Sequence, residues 1–194
     1  AAEQIRQRQD AAESPFAVVS LGRQRLYLFQ PGHQPRDFPV STSRFGVGAE
    51  ANSNKTPTGL HRVARKYGDG APRGMVFRAR RATGEIVPII TEARDVPEDR
   101  ITTRVLWLEG MEPGINRGKG IDSFDRHIYI HGTQEEGLID RPSSHGCVRM
   151  LNDDVVDLFG RLPKGALVHI VQSEPPAATV TDASGETQGD TLPE

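Results

Sequence analysis

The chain has 194 residues, with 24 Lys and Arg against 26 Asp and Glu, giving a formal charge of −2. That balance argues against a nucleic-acid partner, and no apolar run approaches the ~20 residues that a membrane-spanning helix needs. The single cysteine excludes an internal disulfide, and 20 Gly with 14 Pro suit a turn-rich, mainly β domain better than a helical bundle.

Residues 1–14 are polar and charged and are expected to form a flexible N-terminal segment. No signal-peptide core is visible, although Ala1-Ala2-Glu3 is compatible with a freshly cleaved end. A folded domain is expected over residues 15–171. Phe16–Leu21 reads as a strand, Gly22-Arg23-Gln24 as a turn, and Arg25–Phe29 as the return strand of a hairpin. A third strand or edge follows at Phe38–Thr42. The loop Gly46–Asn54 leads into Thr56-Pro57-Thr58-Gly59, which can fix a turn before a strand at Leu60–Ala64.

From His61 to Arg81 the chain is basic, and from Glu85 to Asp99 it leans acidic. The basic run is either a solvated face or a lip that attracts substrate carboxylates. Val76–Arg80 and Glu85-Ile86-Val87 are predicted to pair as a hairpin around Thr83-Gly84. Part of the long excursion from Gly68 to Gly120 is expected to form a lid or wall. Within it, Val105–Leu108 is apolar on both faces, as a buried strand would be. Gly110–Gly120 is glycine-rich but lacks the Gly-Lys-Ser/Thr of a phosphate-binding loop.

Arg126–His131 is predicted to be a strand with Ile128 and Ile130 on one face and Tyr129 and His131 on the other. A helix is predicted after residue 151. Asn152 is its expected cap, Asp153 and Asp154 occupy its first turn, and Val155, Leu158, Phe159 and Leu162 form one apolar face. Pro163 and Gly165 end it, Ala166–Val171 makes a last strand, and the acidic stretch 172–194 reads as a disordered tail.

Chemistry concentrates in Ser144-His145-Gly146-Cys147-Val148-Arg149, which holds the only cysteine, and in His131-Gly132-Thr133 upstream of it. A free thiol has a pKa of roughly 8.5 and is a poor nucleophile at neutral pH unless a base takes its proton. An imidazole within reach can do so and can return the proton to a leaving amine. Gly146 permits a tight turn, which aims the amides of Gly146 and Cys147 at an oxyanion. The competing reading is a buried, inert cysteine with incidental histidines.

These two stretches, in this order and at this interval, resemble the catalytic signature of the L,D-transpeptidase (YkuD-like) family. Lys55-Thr56-Pro57-Thr58-Gly59-Leu60-His61 is also similar to that family, and the resemblance spans roughly residues 15–171. It implies a mainly β, sandwich-like catalytic domain with one main helix after the cysteine motif and an inserted lid. It further implies a substrate, a peptidoglycan stem tetrapeptide or muropeptide. Cys147 would attack the carbonyl of the third-position diamino acid, release the terminal D-alanine, and hold the acyl group as a thioester. His131 would be the general base and acid, oriented by the backbone carbonyl of Gly132. Ser144, His145 and Gly146 would shape the loop and the oxyanion hole. Arg149 is either a ligand for the substrate carboxylate or a structural ion-pair partner, and Tyr129 either lines the cleft or packs.

Residues 101–110 and Asp122-Ser123-Phe124 are similar to a branch associated with cytoplasmic L,D-carboxypeptidases of wall recycling. Water is therefore the expected acceptor and the cytoplasm the expected compartment. The alternatives are amine transfer, giving a 3-3 cross-link or a wall-attached protein, and a periplasmic location. No cofactor is implied, and carbapenem-type β-lactams are expected covalent inhibitors. Outside this class stand a zinc protein using His131, His145 and Cys147, and a non-catalytic wall-peptide-binding module.

Overall fold

The computed structural model describes residues 14–172. The expected flexible segment and acidic tail fall, apart from Ser14 and Gln172, outside the described residues. Ten strands form among the described residues: β1 (Phe16–Ser20), β2 (Arg25–Phe29), β3 (Arg36–Ser41), β4 (Gly59–Tyr67), β5 (Met75–Arg78), β6 (Arg81–Ile86), β7 (Ile101–Gly110), β8 (Tyr129–Thr133), β9 (Val148–Met150) and β10 (Leu167–Val171). The α-helix of the described residues, α1 (Asn152–Arg161), lies between β9 and β10, and a 3-10 turn occupies Glu136–Leu138. The mainly β architecture with one main helix is the one expected.

The strands hydrogen-bond in the order β4-β10-β1-β2-β3-β9-β8-β7, and β4 also pairs with β7, so the sheet closes on itself like a barrel. Closure removes edges that would otherwise expose unpaired backbone groups. Two pairings are parallel, β1 with β10 and β8 with β9. Inward-facing residues such as Ala17, Val19, Leu106, Ile130 and Val148 form the main core, which the face Val155, Leu158, Phe159 and Leu162 of α1 completes. Strand β1 is buried on both faces, because Phe16 and Val18 pack outward with Phe29 and Leu60.

Two expectations need correction. Asn152 is not the helix cap: it is the first helical residue, and Leu151 holds the cap position without a side-chain bond. The carboxylate of Glu136 does the capping instead, accepting the Asn152 amide at 2.8 Å. The Asn152 side chain is buried, donating to the Thr133 carbonyl (2.7 Å) and accepting from Thr102 Oγ1 (2.7 Å). It bolts the start of α1 to β7 and β8.

The β5–β6 hairpin exists, but its turn is Ala79-Arg80 rather than Thr83-Gly84, with Arg78 paired to Arg81. Both turn residues have positive φ, 46° and 66°, as a two-residue hairpin loop of matching twist demands, although neither is glycine. Gly84 lies inside β6. The hairpin joins the main sheet where Val76 pairs with Thr102. Within the excursion Gly68 to Gly120, β7 is a barrel strand, so only the remainder is available as the lid or wall expected of part of it.

His61 sits fully buried on β4, its Nδ1 on the Gly59 carbonyl (3.0 Å) and its Nε2 on Ser123 Oγ (2.9 Å). Burial, opposed by the Gly59 carbonyl, lowers its pKa to about 4. The folded state thus holds a neutral ring where the unfolded chain binds a proton below about 6.5. Stability is full above that pH and declines as pH falls toward 4, by roughly 3 kcal/mol from this residue. The His61→Gln variant should lack this component, so its urea midpoint falls less between pH 7 and pH 4.5 than the parent's. Parallel losses in the two proteins would contradict the assignment.

Candidate active site

The site follows from the β8–β9 register. Ile130 pairs with Val148 and His131 with Arg149, and both aliphatic residues point into the core. Side chains alternate along strands, so Tyr129, His131, Cys147 and Arg149 all take the opposite face. Cys147 immediately precedes β9. Its Sγ accepts the Tyr129 amide at 3.4 Å and lies 3.5 Å from the His127 carbonyl.

The turn carrying the thiol is braced from within. Ser144, fully buried, donates from Oγ to the Cys147 carbonyl (2.6 Å) and accepts the Gly146 amide (3.3 Å). Gly146 has φ +122°, and a Cβ there would stand 3.3 Å from the Lys55 carbonyl, so the position favours glycine on two counts. Thr56 donates from Oγ1 to the Gly146 carbonyl (3.0 Å), so the Lys55–His61 stretch buttresses the cysteine turn. The Gly146 amide, one of the expected oxyanion pair, is turned toward Ser144.

His131 is buried, with Nδ1 donating to its neighbour's carbonyl, Gly132 O, at 2.7 Å. That bond leaves Nε2 unprotonated and able to accept. A Cβ on Gly132 would fall 2.6 Å from Asn152 Oδ1 and 2.9 Å from the Thr102 carbonyl, so close packing of β7 and α1 dictates glycine here. Burial lowers the His131 pKa; the Asp99 charge and the Gly132 carbonyl pull it up, and Arg149 pushes it further down. Burial pushes the Cys147 thiol up to about 12, with the Tyr129 amide, Arg126 and Arg149 opposing and Asp99 reinforcing. Thiol and imidazole therefore rest as a neutral pair.

His145 is held elsewhere. Its Nδ1 meets Asp99 Oδ2 (3.3 Å), and its Nε2 accepts from Arg44 (2.6 Å). Both ring nitrogens are occupied, which suits the shaping role expected of it. Among the described residues no group of three His, Cys, Asp or Glu is arranged to hold a metal ion.

The reading of Arg149 as a substrate ligand is corrected. Its side chain is 1% exposed and pairs with Glu135 (2.6 Å) and Asp99 (3.1 Å). Its other Nη donates to Ser143 and, at 3.4 Å, to Ser41. Arg149 is the structural ion-pair partner. Asp99 in turn joins Arg149, His145 and the field at His131. Burial works to raise its pKa, but Arg149, His131 and the bonds from His145 and Arg149 outweigh it and hold the carboxyl below its usual range.

One cleft contains the thiol, and a second adjoins it at His127. The first, a polar one of about 330 Å³, includes Cys147, His145, Arg126, Asn52 and Asn54 in its walls. The second, a mostly apolar one of about 310 Å³, is walled by Phe77, Ile101, Val105, Tyr129 and Arg80, and His127 lines both. Tyr129 thus both packs, against Trp107 and Val105, and borders a cleft. A further cleft, about 610 Å³ around Arg62, Arg65 and Lys164, contains neither Cys147 nor His131.

Asp99, Arg126, His127 and Arg80 were not singled out from the sequence as site residues. The sequence reading treats His127 as surface or structural; it lies in the turn before β8 with φ 56° and lines both clefts. Arg126 holds the loop beside the polar cleft through the carbonyls of Gly48 (3.2 Å) and Lys55 (2.7 Å), and no local pattern announces that.

Fold and site together define a β domain that presents a cysteine and a histidine on one sheet face beside a cleft. Residues 14–170 match the family described as YkuD, the L,D-transpeptidase catalytic domain, and the chain belongs to that family. It is 40% identical over 170 residues to the probable L,D-transpeptidase YbiS of Escherichia coli K12, covering 86% of this chain and 48% of the relative. YcfS of the same strain, also a probable L,D-transpeptidase, is 24% identical over 159 residues, covering 80% and 43%. The chain spans about half the length of these relatives. Among solved structures, an L,D-transpeptidase from Mycobacterium smegmatis superposes with TM-score 0.50 at 15% identity, over 81% of this chain and 58% of that one. The LD transpeptidase LdtMt1 in complex with imipenem gives 0.50 at 15%, over 82% and 59%. At that identity the likeness is one of fold.

Removing one partner of a buried ion pair strands the other charge. Arg149→Met should cost about 3–5 kcal/mol of stability by denaturant midpoint, and adding Glu135→Gln should recover part of it. Unchanged stability with a raised KM would restore the substrate-ligand role.

Proposed function

We propose that this domain transfers acyl groups from peptidoglycan stem peptides through a thioester on Cys147. The observation that carries the reading is the shared face of β8 and β9, which sets Cys147 diagonally across from a buried His131 whose Nδ1 is already committed.

As the sulfur attacks the carbonyl carbon of the third-position diamino acid, its proton passes to His131 Nε2. Asp99 and the Gly132 carbonyl favour the imidazolium so formed, and the Cys147 amide faces the developing oxyanion. Collapse breaks the C–N bond, His131 returns the proton to the leaving D-alanine amine, and the thioester remains. An acceptor then attacks the thioester, giving its proton to His131. The departing thiolate recovers a proton from the imidazolium.

The acceptor in this reading is an amine. The cleft that holds the thiol and the apolar cleft share His127 as a wall and offer room for two peptides, and the 40%-identical relative carries a transpeptidase name. Hydrolysis to a tripeptide, which the sequence favours, is the second reading, resting on the resemblance of residues 101–110 and 122–124. Mass spectrometry of the protein with a stem tetrapeptide separates them. A cross-linked dimer means transfer, while tripeptide with free D-alanine means hydrolysis. Cys147→Ala should abolish both products and the acyl adduct, and any adduct on that variant would sink the reading. Imipenem, present in one structural relative, should acylate the same sulfur.

A neutral resting pair has a pH signature. Substrate acylation should hold as pH falls through the ordinary imidazole range and decline only below it, because burial keeps His131 neutral there. Iodoacetamide alkylation of the single cysteine should still rise about tenfold per pH unit between pH 7 and pH 10. Levelling near pH 8 would mean an ordinary or activated thiol instead.

A further inference from the structure

The turn between β5 and β6 places a long cationic side chain where such turns usually carry Asn, Asp or Gly. Ala79 and Arg80 both adopt positive φ, a conformation that side-chain-bearing residues disfavour. The result is that Arg80 folds back over the sheet. Its Nη1 donates to the Tyr129 hydroxyl at 3.2 Å, and its Cζ stands 4.6 Å from the centre of the Trp107 ring. The guanidinium is thus held in place by an aromatic face and one hydrogen bond, while most of its five N–H donors remain unspent.

Its charge is not neutralised from within. Arg73 and Arg100, in the same excursion, pair with Glu136 and Asp153 and with Glu85 and Glu98 respectively. Arg80 has no carboxylate at ion-pair distance among the described residues. It is also the only Lys, Arg, Asp or Glu lining the apolar cleft, so an anion there would meet it against low-dielectric walls. Tyr129 links this cation to the chemistry, because its amide donates to Cys147 Sγ while its hydroxyl accepts from Arg80.

We propose that Arg80 forms a carboxylate-binding subsite. It pairs with a side-chain carboxylate on the residue whose carbonyl Cys147 attacks, that side chain lying along Tyr129 into the apolar cleft. The preferred donor is then a peptide whose third residue ends in a free acid rather than an amide or a bare amine. The proposal rests on the peptide acyl-transfer reading, but its test does not require turnover.

Trp107 is the only tryptophan in the chain, so intrinsic fluorescence reports on the ring that Arg80 covers. The Cys147→Ala variant should be titrated with two tetrapeptides differing only at that side chain, one a free acid and one its amide. The acid should bind at least about tenfold tighter, as a charge-assisted guanidinium–carboxylate pair implies. Adding Arg80→Gln should erase the preference by weakening the acid alone, and Arg80→Lys should restore part of it. Acid and amide binding within twofold of each other, a preference surviving Arg80→Gln, equal weakening of both peptides, or no binding of either would each overturn the proposal. If Arg80→Gln does not fold, the acid–amide comparison on Cys147→Ala alone still decides. An intact acid preference in a protein that forms no thioester would refute acyl transfer and leave the subsite standing.

Discussion

The parallel pairing of β8 with β9 in one particular register is the constraint on which the site depends. Ile130 and Val148 lie opposite one another and are fully buried. Burying such side chains stabilises by about 1.5–3 kcal/mol each. A slip of one residue on either strand would drive His131 or Cys147 into the core and expose its aliphatic neighbour. Core packing therefore chooses the functional face, and the thiol and imidazole arrive on the same side because their neighbours must go to the other. Gly132 contributes through what it lacks, letting β7 and Asn152 approach closely enough to fix the carbonyl that orients His131.

Electrostatics then sets the resting state. Burial raises the thiol pKa and lowers that of the imidazole, so neither is charged before substrate arrives. The nearby anion, Asp99, disfavours a thiolate but favours an imidazolium. In the proposed acyl transfer it would support His131 once that ring has taken the proton. Arg149, Glu135 and Asp99 make a buried ion network that joins β9 to the segment before β7 and to the residues after β8. Such networks add little net stability over apolar packing but cost heavily when half removed. Its service here is to hold Asp99 at the site.

Much of this was legible in the chain. The alternation across residues 128–131 named the face of His131 before any coordinates, and the spacing of Val155, Leu158, Phe159 and Leu162 named the buried face of α1. What stayed hidden depended on tertiary partners. Asn152 looks like a cap because Asn commonly serves as one, but Thr102, Thr133 and Glu136 compete for its side chain and win. Thr83-Gly84 carries turn chemistry, yet the chain turns at Ala79-Arg80, where contacts with Tyr129 and Trp107 accompany an unfavourable backbone. Asp99 lies in an acidic stretch with nothing local to distinguish it from its neighbours, and only the folded chain brings it to Arg149 and His145. The role of Arg149 was balanced between two readings because burial, which decides it, is not a property of a motif.

The central claim is that Cys147 and His131, on one face of the sheet, rest as a neutral thiol and a neutral imidazole protonated on Nδ1. Nitrogen-15 NMR of the histidine rings, with His131 assigned by its loss in His131→Gln, observes that state directly. The account predicts a neutral Nδ1–H tautomer for His131 at pH 7, unchanged when Cys147 is replaced by Ala. An imidazolium at pH 7 that becomes neutral in the Cys147→Ala protein would reveal a preformed thiolate–imidazolium pair and contradict it.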